Sequence, residues 1–199
     1  RVTGHRVGNP VSAFRDLSGG SFLSGFDKKL TKTMKDNGQA LITTLSPAVP
    51  FFALKPEQHG YGEVADINSR IVFDGMVEAS KLCLANKVSV GLGTDAGSTL
   101  TSHYNFYKEL VLFEKHLKVS KSFALYTATL KNAEIIGLDK EIGSVEVNKK
   151  ADLLIVDGDP LKDLHALGNV KMVMVNGNLI KNPKFKRDKL LDSLIEPLI

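Results

Sequence analysis

The hydrophobic pattern divides the chain into alternating strand-like and helix-like segments. Val2 to Gly4 reads as a short strand running into a turn, and LSGGSFLSG reads as a loop. FDKKLTKTMKDNGQ has Leu30 and Met34 four residues apart, with Asn37-Gly38 as a stop, which predicts a helix. ALITTLSP is short and nearly all apolar, and it ends at Ser46-Pro47, where a ladder cannot continue. PAVPFFALKPEQHGYGEVAD carries three prolines and predicts a long irregular segment of the kind that forms lids or binding loops. INSRIVFDGMVEASKLCLANK places Ile67, Ile71, Met76, Ala79 and Leu82 at helical spacing. VSVGLGTD is apolar on both faces, as in a strand buried under helices. NFYKELVLFEKHL predicts an amphipathic helix, and SKSFALYTATLKNAEIIGL predicts one or two more.

The alternation of strands and helices argues for a parallel α/β sheet or a (β/α) barrel. After Leu138 the texture changes. EIGSVEVNKKADLLIVDGD and VKMVMVNGNLIK alternate in polarity, and Asn176-Gly177 marks a hairpin between short antiparallel strands. DKLLDSLIEPLI predicts a terminal helix with a leucine stripe. No fixed-period repeat is present.

Composition narrows the function classes. With 199 residues, 43% hydrophobic and 24% charged, the chain can bury a real core. A net charge of +4 gives no strong polyanion signature. The one basic cluster, KNPKFKRDK at Lys181 to Lys189, reads as a solvated linker, so no nucleic-acid partner is expected. No apolar run is long enough for a transmembrane helix, so no membrane partner is expected either. The single cysteine, Cys83, sits between leucines and reads as a small buried hydrophobe. One cysteine allows no internal disulfide, and the sequence opens on no signal peptide. Both suggest the cytoplasm. The first residue is Arg, which suggests a processed chain or an excerpt from a longer one.

The candidate chemistry lies at SVGLGTDAGST, Ser89 to Thr99. In parallel α/β sheets, ligands sit outside the carboxyl ends of the strands. Asp95 occupies such an end, bracketed by Gly93 and Gly97. A carboxylate there can hold a hard divalent ion or move a proton. The same aspartate could instead cap a helix or a turn.

GLGTDAG and the stretch YTATLKNAEIIGLDKEIGSVEVNKKADLLIVDGDPLKDL together resemble the carboxyl-terminal half of the metal-dependent amidohydrolase superfamily, imidazolonepropionase-like members above all. The resemblance runs from about Phe22 to about Lys181. It implies an α/β fold: the C-terminal part of a (β/α)8 TIM-like barrel plus strands of a small β-sandwich. Residues 1–140 would form the barrel half, 141–182 the sandwich segment and 183–199 a helical tail. Ala40 to Leu45 would be the seventh barrel strand, and Asp95 would end the eighth. Asp152 would be structural.

The resemblance also implies a metal-dependent hydrolase of cyclic or other non-peptide C–N bonds, with one or two divalent ions, often zinc, and a small-molecule amide substrate. Asp95 would be both metal ligand and proton carrier. His5 resembles the fifth-strand metal ligand, or the sixth-strand one if an insertion comes after it. The family's sixth-strand histidine falls where this chain has Gly19, and no His-x-His pair of the first strand occurs here. His59 and His103 are candidate substrate contacts at the barrel mouth, whereas His116 and His165 read as surface residues. A full barrel needs about 250 residues. The working chain is therefore expected to have a missing N-terminal half, or a homo-oligomeric partner. The alternative is a non-catalytic fragment used in binding or assembly.

Overall fold

A computed structural model describes residues 26–199. Among the described residues the parallel sheet is a single pair. Strand β1 (Ala40–Thr43) lies beside β2 (Ser89–Leu92), with Leu41 opposite Val90 and Thr43 opposite Leu92. Before β1, helix α1 (Lys28–Asp36) starts where the Asp27 side chain accepts the Leu30 N–H at 2.8 Å, and it stops at Asn37. Parallel neighbours need a long crossover. Here the crossover holds three helices: α2 (Val49–Ala53), α3 (Pro56–His59) and the long α4 (Glu63–Ala85).

The proline-rich segment is therefore less irregular than its sequence predicts. Pro50 and Pro56 stand in the first turns of α2 and α3, where proline costs no hydrogen bond and its fixed φ favours the helix. Helix α4 also starts earlier than its apolar spacing indicates. Glu63 and Asp66 occupy its first turn, where acids suit the dipole.

The two faces of the β1–β2 pair differ. Leu41, Thr43, Leu45, Val90 and Leu92 are buried on one face. The apolar ones join Phe73, Met76 and Cys83 of α4 and Leu110 to Phe113 of α5 (Tyr107–Leu117) in the main core. Burial without a polar partner pushes the Cys83 thiol up to about 12, as expected of an inert core cysteine. Ile42, Thr44, Gly91 and Gly93 face the other way.

Helix α6 (Lys121–Tyr126) opens on Ser120, whose hydroxyl accepts the Phe123 N–H at 3.1 Å. It continues through a π turn (Thr127–Lys131) into α7 (Asn132–Ile136). Thr127 and Thr129 donate their hydroxyls to the carbonyls of Phe123 and Leu125 at 2.8 and 2.7 Å across that turn. Asn132 meets β2, and its amide both accepts the Leu92 N–H at 3.0 Å and donates to the Leu92 carbonyl at 2.9 Å.

The carboxyl-terminal third contains an antiparallel sheet in the order β3 (Leu153–Val156), β4 (Val170–Val175), β5 (Asn178–Lys181). The hairpin sits where Asn176-Gly177 placed it. Both residues have positive φ, 49° and 80°, as a tight turn matched to strand twist requires. Asp152 Oδ1 accepts the Asn176 N–H at 2.6 Å, which gives this acid a structural task. The 3-10 turn Leu164–Gly168 docks this sheet on α5 by burying Leu164 in the main core. The tail helix α8 (Lys189–Ile195) buries only Ile195 of its own residues, and Leu190 stays exposed. Among the described residues no helix is long and apolar enough to cross a membrane.

Candidate functional site

Asp95 lies three residues beyond β2, exposed, with φ 50°. Positive φ is uncommon for a residue with a side chain, and aspartate is among those that bear it best. The turn is closed by the Ser98 N–H donating to the Asp95 carbonyl at 3.1 Å. Just before it, the Gly93 N–H donates to the Thr43 carbonyl at 2.8 Å, so the ends of β1 and β2 stay joined up to the loop.

An open cavity of about 620 Å³ begins there. Asp95, Gly93, Thr44 and Ile42 line its strand side, and Phe51 and Met76 line the helix side. Among the described residues of the lining, Asp95 alone is ionisable. A carboxylate at the edge of a mostly apolar cavity suits proton transfer to a bound small molecule of modest polarity.

The segment after β1 partly covers the cavity. Phe51 packs edge-on against Tyr61 with ring centres 5.2 Å apart, and the Tyr61 hydroxyl is 3.3 Å from Thr99 Oγ1 in the Asp95 loop. The two loops that flank the mouth thus touch one another.

The sequence-predicted histidines fall in different places. His59 is buried inside the segment rather than lining the cavity. Its Nδ1 accepts the Tyr61 N–H at 3.1 Å. Its Nε2 is 3.0 Å from Asp66 Oδ1, yet both atoms are buried without an aligned hydrogen bond, so the pair is a contact without a full bond. His103 is exposed and packs beside Gly97, with Nε2 3.7 Å from where a Cβ on that glycine would stand. His116 is half-buried against the Phe73 ring, and burial lowers its pKa. His165 is exposed and bonded to Asp163. His5 and Gly19 lie outside the described residues.

Two residues that the hydrophobic pattern does not single out shape the strand ends. Asn132 is one. Glu109 of α5 is the other: its carboxyl accepts the Leu45 N–H at 2.7 Å and the Ser46 N–H at 2.8 Å, and Thr43 Oγ1 lies 3.4 Å away. Burial raises its pKa to about 7, against the downward pull of those two backbone bonds. A charge at the head of the apolar run ELVLF was the available signal.

Comparison with known proteins settles the family. The amidohydrolase family model matches residues 40–180, which run from β1 through β5. The chain belongs to the amidohydrolase family. A 5'-deoxyadenosine deaminase of Methanobrevibacter smithii is 39% identical over 82 residues, 37% of this chain and 19% of that protein. A guanine deaminase of Escherichia coli is 35% identical over 94 residues, 44% of this chain and 21% of that enzyme. A crystal structure from Bifidobacterium longum, ascribed to a prolidase, superposes with a TM-score of 0.82 at 34% identity over 86% of this chain and 44% of that one. The chain thus spans less than half the length of each of these relatives. Its relatives in the family are deaminases and hydrolases acting on C–N bonds.

Amidohydrolases generally use a divalent metal. The described residues alone do not fit one: no group of three or more His, Cys, Asp or Glu among them could hold an ion. Asp95 is the one expected ligand of this chain that falls among them.

Proposed function

We propose that this amidohydrolase chain is the carboxyl-terminal part of a hydrolase that opens amide, amidine or related C–N bonds in small molecules, with Asp95 as proton carrier. The observation that carries this reading is the position of Asp95: an exposed carboxylate past the end of a parallel strand, at the edge of an otherwise uncharged cavity. Asp95 accepts a proton from the attacking water as the C–O bond forms, then returns it to the leaving nitrogen as the C–N bond breaks. His103, beside Gly97 of the Asp95 turn, is a substrate contact in this reading. The buried His59 supports the covering segment from within.

In the same reading, β1 and β2 are the seventh and eighth strands of a barrel, residues 1–140 belong to it, residues 141–182 belong to a small sandwich and 183–199 form a helical tail. The family's divalent ion, with zinc the expectation, would need ligands from outside residues 26–199, His5 among them. The deaminase and hydrolase relatives favour an enzyme over a binding fragment.

The test is a substrate panel on the full-length protein: ammonia release from 5'-deoxyadenosine and guanine, and proline release from Xaa-Pro dipeptides. Asp95→Asn should cut the rate by about 10²–10⁴-fold while thermal unfolding stays where it was. An active wild type that keeps its rate in Asp95→Asn would remove Asp95 from the chemistry.

A further inference from the structure

Glu109 is fully buried, and nothing in the proposed chemistry uses it. A buried carboxyl is costly, and an apolar residue of the same size often serves stability as well or better. Its position needs another explanation, and its bonds supply one. Pairing of β1 with β2 stops just past Thr43. Two backbone donors beyond that point, Leu45 N–H and Ser46 N–H, both end on the Glu109 carboxyl. Pro47 comes next and carries the chain into the cavity wall at Ala48 and Phe51. Glu109 therefore replaces a strand partner at the point where the chain leaves the sheet.

The clamp is anchored on its far side as well. The Tyr107 hydroxyl is 3.2 Å and the Lys108 ammonium 3.5 Å from Glu196 Oε1, and the Asn105 amide is 3.2 Å from Asp192 Oδ1, so the tail holds the amino end of α5. On its near side, the Thr43 carbonyl accepts the Gly93 N–H. A continuous set of contacts runs from the tail, through Glu109 and Thr43, to the residue two before Asp95.

We propose that Glu109 is a positioning residue of the Asp95 site, pinning the end of β1, and through Thr43 the end of β2, so that Thr44 and Asp95 are held at one cavity. This rests on the reading of Asp95 given above. Glu109 touches no substrate. It acts by fixing backbone that otherwise has no partner.

The experiment compares wild type, Glu109→Gln and Glu109→Met in the full-length protein, using amide hydrogen exchange, thermal unfolding and steady-state kinetics. At pH 8, above the carboxyl's value of about 7, wild type offers two acceptors to the two N–H groups, Glu109→Gln offers one acceptor and one donor, and Glu109→Met offers no useful acceptor. Both variants should speed exchange at Leu45 and Ser46 at least tenfold while β3 to β5 stay protected. Both should lower kcat between about tenfold and a hundredfold, the cost of slight misplacement, with KM changed far less. Glu109→Met, which leaves both N–H groups without an acceptor, should unfold below Glu109→Gln, and kcat is read well below either unfolding temperature, which separates positioning from stability. Wild-type kcat in Glu109→Met, or full protection of Leu45 and Ser46 in Glu109→Gln, overturns the proposal.

If neither variant folds, wild type decides. The amide resonances of Leu45, Ser46 and Gly93 must then shift together with the Glu109 carboxyl as it titrates, and independence overturns the proposal. A wild type inactive on every substrate of the panel would sink the proposed function alone. The exchange and resonance measurements would still judge the clamp.

Discussion

Replacing Asn132 by alanine should cost this chain about 3 kcal/mol, although the residue lies far along the sequence from the strand it serves. Leu92 is 3% exposed, and its N–H and carbonyl both end on the Asn132 amide, at 3.0 and 2.9 Å. A buried hydrogen bond contributes about 1 kcal/mol net, and each orphaned buried group costs about 1–3 kcal/mol. Two such groups give about 2–6 kcal/mol, and partial relaxation pulls the expectation toward the lower half. Against a total stability of about 5–15 kcal/mol that is a large share. Urea unfolding is the assay: with a slope of about 2 kcal/mol per molar, the midpoint should fall by about 1.5 M at unchanged slope. Asn132→Asp sharpens the test. It keeps the acceptor for the Leu92 N–H but sets a second acceptor against the Leu92 carbonyl, so it should rescue little. A loss below about 1 kcal/mol in Asn132→Ala would show that the two bonds do not hold the edge of β2.

Gly91→Ala should lower Tm by about 4–10 °C. An added Cβ would stand 2.3 Å from Asn132 Oδ1 and 2.7 Å from Ile42 Cδ1, and a Tm equal to that of wild type would contradict the packing described. Burial raises the Glu109 carboxyl from 4.5 to about 7, so the folded chain holds that proton more tightly than the unfolded chain does. The contribution is complete below pH 4.5 and is lost as pH rises through about 7; Glu109→Gln should flatten that fall in a plot of urea midpoint against pH, and an unchanged slope would refute it. Combining Glu109→Gln with Asn132→Ala should depart from additivity by more than about 0.5 kcal/mol, because Thr43 and Gly93 join the two strand ends, and strict additivity would break that link.

The features legible in the sequence are those set by local physics. The Asn176-Gly177 hairpin was legible because positive φ at two adjacent positions selects those residues, and the structure has both. The end of α1 at Asn37 and the doubly buried strand at Val90 to Leu92 were legible for similar reasons. Asp95 was legible as a strand-end acid. The features that escaped depend on distant partners. Ile67 and Ile71 fall at helical spacing with Met76, Ala79 and Leu82, yet they are 61% and 52% exposed, because the buried residues of α4 lie in its carboxyl-terminal part. His59 read as a loop residue because nothing local shows that Phe51, Tyr61 and Asp66 close around it. Glu109 and Asn132 bond to backbone 64 and 40 residues away, so even where the charge of Glu109 stands out beside apolar neighbours, nothing near it names the partner.

These long-range bonds bear on how the strand pair among the described residues holds its ends beside Asp95. Each strand of the pair has four residues, and two such strands are marginal in water without further support. Here the strand ends are held by helices instead: Glu109 of α5 takes the donors that β1 leaves unpaired, and Asn132 of α7 takes the outer edge of β2. The tail contacts of Tyr107 and Lys108 hold the amino end of α5. On the proposed clamp, Asp95 owes its position to side chains from two helices that come after it in the chain as well as to the ladder. That arrangement leaves the mouth side of the strands free of regular pairing, which is where a cavity has to open if a small molecule is to reach the carboxylate.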